Sequence, residues 1–323
     1  MLIRHPSTIT FAAALAVVTL TAGCSSSETN SGDTDTRTVD TAYGSIEVPV
    51  APERVVAASY DTPWQLMSLG VEPVATQDYS GWIEEFTPEQ QTFVAELPTI
   101  GPFGDYNFEA IASVDPDIIV GDITEIDQAT YDRLASIAPT VVVEGASRGD
   151  WENITSGLAS ALGKEDALQE SRATYESTLD RLKSAYAQVI SDNVWAHISI
   201  GDEDGQFSIQ QPTGTIGNLV VNELGLKYGA GIPTDFTDRG YGSYSVEQLA
   251  DILAGVTVVM YPLNADGSIS DGMLTILGNT LFGRLPASET NHVLGLSTSA
   301  TDYRTANKWL EEVEATVLAP LSA

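Results

Sequence analysis

A short sequence pattern that occurs twice constrains the fold of this 323-residue chain more than any other feature. Residues 107–112 read Asn-Phe-Glu-Ala-Ile-Ala, and residues 245–250 read Ser-Val-Glu-Gln-Leu-Ala. In both copies a residue that caps helices precedes a glutamate at the second helical position. Each copy leads within about ten residues to an apolar run typical of a buried strand, at 117–120 and at 256–260. The repeat predicts two halves built on the same plan.

Both halves alternate short β-branched runs with patterns of helical period. Such alternation predicts βα units and a mainly parallel sheet in each half. The predicted fold class is therefore α/β, with two α/β lobes that each contain a mainly parallel sheet. The runs predicted as strands are residues 55–58, 118–120 and 140–143 in the first half, and 194–200, 207–209, 256–260 and 293–294 in the second.

A long amphipathic helix is predicted between the two halves, over residues 164–190. Its apolar residues recur at spacings of seven, four, three, four and three: Leu168, Tyr175, Leu179, Leu182, Tyr186 and Val189. These spacings place them on one helical face. At 1.5 Å per residue the helix would be roughly 40 Å long, enough to connect two lobes in a single crossing. The predicted lobes are residues 41–163 and 191–323.

The N-terminus has the features of a secretory signal. Arg4 precedes an apolar run at 9–20 that is too short to span a bilayer, and the run ends in Leu-Thr-Ala-Gly before Cys24, the only cysteine. This segment resembles a bacterial lipobox and predicts a signal peptide at 1–23 with lipid attachment to Cys24. An incidental thiol in a disordered leader is the alternative. The Ser/Thr/Asp/Gly-rich residues 24–40 predict a disordered tether.

The charge balance restricts the partners of the folded part. The chain has 14 basic and 45 acidic residues, a formal net charge of -31. Nucleic acid and an anionic membrane surface are therefore excluded as partners, because both would repel the chain. Membrane attachment is expected only through the anchor, and a lone cysteine cannot form an intramolecular disulfide.

The glutamates of the repeat, Glu109 and Glu247, have two interpretations. First-turn carboxylates offset the helix macrodipole, which is worth roughly 0.3–1 kcal/mol each. Alternatively, two exposed carboxylates, one in each lobe, form a two-point docking surface for basic pockets on a symmetric partner.

Several short motifs occur in a characteristic order along the chain. They are Pro-Glu-Arg-Val-Val at 52–56, Leu-Gly-Val-Glu-Pro-Val at 69–74, Leu-Pro-Thr-Ile-Gly at 97–101, Asn-Phe-Glu-Ala-Ile at 107–111, Asp-Pro-Asp-Ile-Ile at 115–119, Ile-Ala-Pro-Thr at 137–140 and the second repeat at 245–250. Through these motifs the chain resembles the siderophore, heme and vitamin B12 class of periplasmic-type binding proteins over essentially all of residues 45–320.

The resemblance implies two lobes joined by one long helix, with a ligand held in the cleft between them. It implies an extracytoplasmic solute-binding lipoprotein that captures a ferric siderophore and delivers it to an ABC importer. The expected partners are a permease dimer with its ATPase subunits, and Glu109 and Glu247 match the glutamates that dock onto permease arginines. No enzymatic activity and no cofactor are expected. The protein is expected to be located either in a periplasm or on the outer face of the cytoplasmic membrane.

The predicted ligand contacts lie in loops that follow strands, where ligands of open α/β sheets bind. Aromatic faces can pack on the organic shell of a ferric chelate, and an arginine can pair with its residual charge. Members of the resembled family that bind highly anionic catecholate complexes tend to gather several basic residues in the cleft, whereas these loops offer mainly Arg148 and Arg239. The resemblance therefore favours a neutral or weakly charged ferric hydroxamate, or a mixed-ligand siderophore, over a catecholate. The predicted contacts are Tyr60, Trp82, Phe103, Arg148, Phe207, Arg239, Tyr241 and Tyr261.

The histidine content argues against a site for a bare metal ion, which would require several converging ligands. Only His197 and His292 remain after the predicted cleavage, and His197 lies in an alternating run that predicts a satisfied structural histidine. Iron is therefore expected only as a chelate.

Three other functions remain open. Heme or cobalamin binding belongs to the same class of protein. An extracellular α/β enzyme acting on a chelate could use Asp61, Asp122 or Asp202 as acid or base, although the chain lacks Gly-x-Ser-x-Gly, Gly-x-x-x-x-Gly-Lys and His-Glu-x-x-His motifs. A purely structural surface lipoprotein would have a vestigial cleft and glutamates that only cap helices.

Overall fold

The computed structural model describes residues 35–210, 218–234, 236 and 240–322. The predicted signal peptide, the lipidation site Cys24 and the predicted contact Arg239 lie outside these residues.

The tether was predicted to extend to residue 40, and this boundary is wrong. Strand β1, Thr36–Thr41, pairs antiparallel with strand β2, Gly44–Pro49. The hairpin is held by hydroxyl-to-carboxylate hydrogen bonds, from Thr38 to Glu47 and from Ser45 to Asp40, both 2.6 Å long. Most residues of this hairpin are exposed or half-buried, which explains their polar composition, and few apolar residues marked the segment as a pair of strands.

The first lobe contains a parallel sheet, as predicted. Strands β3 (Val55–Ala57), β4 (Ile118–Asp122) and β5 (Thr140–Val143) pair in that order, and all three are buried. Their β-branched side chains suit a sheet that is covered on both faces. The helices of this half are α1 (Thr62–Ser68), α2 (Pro88–Val94), α3 (Phe108–Ser113), α4 (Gln128–Ala135) and α5 (Trp151–Leu162).

The second lobe contains a mixed sheet rather than a mainly parallel one. Its strand order is β10-β9-β6-β7-β8, with β10, β9 and β6 parallel and β6, β7 and β8 antiparallel. Only five residues, 201–205, separate β6 from β7, and so short a connection permits only antiparallel pairing. The strands are β6 (Trp195–Ile200), β7 (Gln206–Gln210), β8 (Tyr241–Ser245), β9 (Val258–Pro262) and β10 (Val293–Leu296).

The helices of the second lobe are short except for one. Its α-helices are α8 (Leu249–Ile252), α9 (Asp271–Leu277), α10 (Pro286–Glu289), α11 (Tyr303–Val313) and α12 (Ala319–Leu321). Short 3₁₀ and π segments accompany them at Asn218–Glu223, Val246–Gln248, Phe282–Arg284 and Glu314–Leu318.

The segment between the sheets is helical but not one continuous helix. Helix α6 spans Glu165–Ala185 and helix α7 spans Ala187–Asp192, with Tyr186 at a non-helical φ of -115° and ψ of 20° between them. The Tyr186 hydroxyl donates to Glu314 at 3.2 Å. The apolar spacing continues across this break, so periodicity alone could not reveal it.

One apolar cluster extends through both lobes. It contains buried residues of the first sheet, of α5, α6 and α11, and of the second sheet, among them Val120, Tyr175, Trp309, Trp195 and Met260. A second cluster covers the opposite face of the second sheet. The first cluster therefore joins the two sheets through the connecting helix.

Candidate ligand-binding cleft

A cavity of about 350 Å³ opens at the ends of strands from both sheets. Its wall includes Tyr60 after β3, Arg148 after β5, Pro262 at the end of β9 and residues 297–301 after β10. The cavity thus lies where ligands of open α/β sheets bind, at the carboxyl ends of parallel strands. Helix α11 and the strand pair β6–β7 complete the wall.

The first lobe contributes a group of interacting aromatic rings. Tyr60 is central to it, with ring centroids 5.7 Å from Phe103 and 6.0 Å from Trp82, both in edge contact. Trp82 is 39% exposed and Phe103 is 51% exposed. Tyr60 lies on the cavity wall, whereas Trp82 and Phe103 lie beside it as a solvent-facing rim. We call these three residues the aromatic rim.

The predicted contact Arg148 lies on the wall but already has a partner. Its Nε and Nη2 atoms donate to the two carboxylate oxygens of Asp61 at 2.7 and 2.8 Å. Its guanidinium carbon also lies 4.9 Å from the centroid of the Tyr60 ring. This bidentate geometry fixes the guanidinium in orientation and leaves its charge compensated by Asp61.

A second group of charges on the wall was not predicted from the sequence. Glu89 of α2 accepts hydrogen bonds from Arg304 and, at 2.8 Å, from Lys308, which lie one turn apart on α11. The hydrogen bonds from Lys308 and Arg304 lower the pKa of Glu89. An Arg-x-x-x-Lys pair on the helix that follows β10 was the available signal, because the loop after that strand also lines the site.

The second lobe presents a polar strand face to the cavity. His197 and Ser199 of β6, Gln210 of β7 and Tyr241 of β8 all line it. The alternate residues of the same strands pack into the second apolar cluster. Two predicted contacts lie on that buried side and not on the cavity wall: Phe207 is fully buried among apolar residues, and Tyr261 is buried in the same cluster. Side chains alternate along a strand, and the prediction took the wrong face.

His197 is buried as predicted, at 1% exposed, but it is not satisfied. Neither of its ring nitrogens has a hydrogen-bond partner in the part of the chain that the structure describes. Burial lowers its pKa to about 4, so the imidazole is neutral at physiological pH.

The comparisons with known proteins agree with this geometry. A family model described as periplasmic binding protein matches residues 55–300. The chain belongs to the periplasmic binding protein family. The match covers both sheets and the connecting helices.

Relatives of this periplasmic binding protein are found over most of its length. YhfQ of Bacillus subtilis, named a candidate ABC transporter substrate-binding lipoprotein, is 27% identical over 91% of this chain and 93% of its own. YfiY of the same organism, named a probable siderophore-binding lipoprotein, is 28% identical over 69% of this chain and 68% of its own. The siderophore periplasmic binding protein from the fuscachelin gene cluster of Thermobifida fusca superposes with a TM-score of 0.70 at 24% identity, covering 83% of this chain and 97% of that one.

The two repeat copies of this periplasmic binding protein form the helix starts that the sequence predicted. The side chain of Asn107 accepts a hydrogen bond from the backbone of Ala110 at 3.0 Å, and that of Ser245 accepts one from Glu247 at 3.3 Å. Glu109 and Glu247 are both exposed. Capping geometry and exposure are compatible with either interpretation of the glutamates, and docking stays a prediction.

The aspartates considered as acid or base each have a structural partner. Asp61 binds Arg148, Asp122 is buried and accepts from Thr124, and Asp202 accepts from the Tyr241 hydroxyl at 2.8 Å. Within the described ranges there is no group of three or more His, Cys, Asp or Glu residues suited to a metal ion. Among the helices in those ranges, none is long and apolar enough to cross a bilayer.

Glu125 lies beneath the aromatic rim and is a source of pH dependence. It accepts hydrogen bonds from the Tyr60 backbone at 2.8 Å and from Gln77 at 3.0 Å. Burial, followed by the charge of Asp122, raises its pKa to about 7. The native state therefore holds the Glu125 proton more tightly than the unfolded state. The contribution of protonated Glu125 to the free energy of unfolding is complete below about pH 4.5 and is lost as pH rises through 7.

We expect Glu125→Gln to remove this pH dependence. The free energy of unfolding of the variant, relative to the wild type, should rise by about 2–3 kcal/mol between pH 4.5 and pH 8, measured by urea denaturation. Glu170→Gln, at an exposed position of α6, is the matched control and should show no such rise. Equal pH profiles for the Glu125→Gln protein and the wild type would contradict the assignment.

Proposed function

We propose that this protein is the extracytoplasmic solute-binding lipoprotein of an ABC importer, and that it captures a ferric siderophore in the cleft between its lobes. The observation that carries the proposal is the cavity at the strand ends of both sheets, bordered by the aromatic rim. The family match and the relatives named as substrate-binding and siderophore-binding proteins support it. The named relatives are transport proteins rather than enzymes, which disfavours the enzymatic alternative.

The composition of the wall fits a bulky chelate. Exposed aromatic faces can pack on its organic shell, and the hydroxyl group of Ser199 and the amide group of Gln210 can donate hydrogen bonds to its oxygen atoms. Heme and cobalamin are less suited, because the polar strand face on the wall offers a macrocycle little apolar enclosure.

Direct titration tests the proposal. Ferric siderophores of several classes, heme and cobalamin would be added to the purified protein while its tryptophan fluorescence is recorded, with the iron-free chelators as controls. We expect saturable quenching by at least one ferric siderophore and none by its iron-free form. A protein that gives no saturable response to any ferric chelate would refute the proposal.

Delivery to the permease is the second part of the proposal. We place the docking contacts at Glu109 and Glu247, whose carboxylates are exposed at the starts of equivalent helices in the two lobes. Arginines of a symmetric permease dimer would form charge-assisted hydrogen bonds with them.

Membrane attachment through Cys24 is the third part. We expect Cys24→Ser to release the protein from the membrane fraction of a lipidating bacterial host and to abolish incorporation of labelled fatty acid, because the chain has no other cysteine to carry the lipid. Ser25→Ala, at the next position, is the control and should stay in the membrane fraction. Retention of the Cys24→Ser protein on membranes would contradict lipid anchoring at this residue.

A further inference from the structure

The charged side chains on the cavity wall all have partners within the wall. Arg148 binds Asp61, and Arg304 and Lys308 bind Glu89. Asp302 accepts hydrogen bonds from the backbone of Arg304 at 2.8 Å and of Thr305 at 3.0 Å. In the part of the wall that the structure describes, Arg148 is thus paired with Asp61, and Arg304 and Lys308 share Glu89. A strongly anionic ligand would have to displace one of these carboxylates to pair with a cation.

The polar groups that lack a partner on this wall are neutral. Of the wall residues that the structure describes, two have buried polar atoms with no hydrogen bond: the imidazole of His197 and the indole N–H of Trp64. His197 is 1% exposed and Trp64 is 2% exposed. Buried polar groups are normally paired, so unpaired ones at a cavity indicate a partner that enters it.

These two groups come from different lobes. Trp64 is on α1, where its ring packs against Phe86 and Tyr79 with centroids 4.7 and 5.3 Å away. His197 is on β6, opposite Met260 of β9. Both residues line the same cavity, so a ligand held between the lobes would lie next to both.

The chemistry of the two groups specifies their partner. An indole offers one N–H donor, and a neutral imidazole offers one donor and one acceptor. With its pKa lowered by burial, His197 has no positive charge to offer an anion at neutral pH. Carbonyl and hydroxamate oxygens of an uncharged chelate match these donors, whereas charged catecholate oxygens are better matched by free cations.

We infer that His197 and Trp64 are ligand-binding residues that donate hydrogen bonds to oxygen atoms of a neutral ferric hydroxamate. The inference rests on the proposed function and goes further by specifying the ligand class and two contacts. It also accounts for a buried histidine beside the cavity that has no hydrogen-bond partner among the described residues.

Calorimetric titration tests the inference with ferrichrome, a neutral ferric trihydroxamate, and ferric enterobactin, a strongly anionic ferric tricatecholate. We expect the wild type to bind ferrichrome more tightly. We expect His197→Phe to raise the ferrichrome Kd about tenfold and Trp64→Phe to raise it about fivefold, as for the loss of one hydrogen bond. His197→Gln keeps a donor and an acceptor and should stay within about threefold of the wild type.

The matched control is His292→Phe, because His292 is a histidine outside the cavity wall and its loss should leave the Kd unchanged. If His197→Phe does not fold, Trp64→Phe tests the same claim. A Kd within twofold of the wild type for both variants, or tighter binding of ferric enterobactin, would overturn the inference and leave the proposed function intact. Failure of the wild type to bind any ferric chelate would overturn both.

Discussion

Glu109→Lys combined with Glu247→Lys should abolish uptake of the ferric ligand while leaving its Kd unchanged. Each substitution replaces an exposed carboxylate with a cation that would repel the arginine expected on the permease. Neither residue lies on the cavity wall, so binding should not be affected. Uptake of ⁵⁵Fe by cells that depend on this protein, together with calorimetry on the purified variant, measures both quantities.

The control for this experiment must reproduce the effects of the substitutions on helices and on net charge. Glu165→Lys combined with Glu289→Lys does so, because both residues are exposed glutamates in the first turns of other helices, α6 and α10. The loss of favourable dipole interaction, about 0.3–1 kcal/mol per site, is thus matched. Normal uptake by the Glu109/Glu247 variant, or an equal loss of uptake in the control, would mean that the two glutamates only stabilise the starts of their helices.

Truncation of the aromatic rim should weaken ligand binding about 30-fold or more. Trp82→Ala with Phe103→Ala removes two exposed rings, each worth about 1–2 kcal/mol as a contact with a bulky ligand. The effect on folding should be small, because both side chains are already solvent-facing in the free protein. Calorimetry gives the Kd, and thermal melting of the free protein checks its stability.

The chain offers a control with closely matched exposure. Ile123 is 38% exposed and Leu274 is 50% exposed, against 39% for Trp82 and 51% for Phe103, and neither control residue lies on the cavity wall. Ile123→Ala with Leu274→Ala should therefore leave the Kd within about twofold of the wild type. If both double variants bind equally well, the aromatic rim is not part of the ligand site.

The sequence predicted the elements whose physical signal is local. The buried β-branched runs became β3, β4, β5, β6 and β9, and the repeat marked two helix starts whose caps form as expected. The antiparallel return of β7 was missed, although the predicted strands at 194–200 and 207–209 already leave too short a loop for a parallel crossover. The break at Tyr186 also escaped prediction, since the apolar spacing is the same on both sides of it.

The sequence indicated which loops and strands reach the cavity, but not which side of a strand faces it. Tyr60, Arg148 and Tyr241 lie on the cavity wall, where their position after or within the strands placed them. Phe207 does not lie on the wall, because neighbouring residues of a strand point to opposite faces of the sheet and Phe207 points to the core. Arg304 and Lys308 were missed because the search for contacts stopped at the loops that follow strands, although their Arg-x-x-x-Lys spacing on the helix after β10 was visible in the sequence. The role of Arg239 stays a prediction.

The apolar cluster that passes from the first sheet through α6 and α11 to the second sheet has a consequence for the transport cycle. A wide rotation of one lobe would shear these packed side chains, so the distance between Glu109 and Glu247 should be nearly the same in the empty and the loaded protein. A permease that recognises the protein only by the distance between these two carboxylates would bind the empty and the loaded protein equally well. Unloaded copies would then occupy the transporter in competition with loaded ones, and the rate of iron entry would follow the fraction of carriers that are filled.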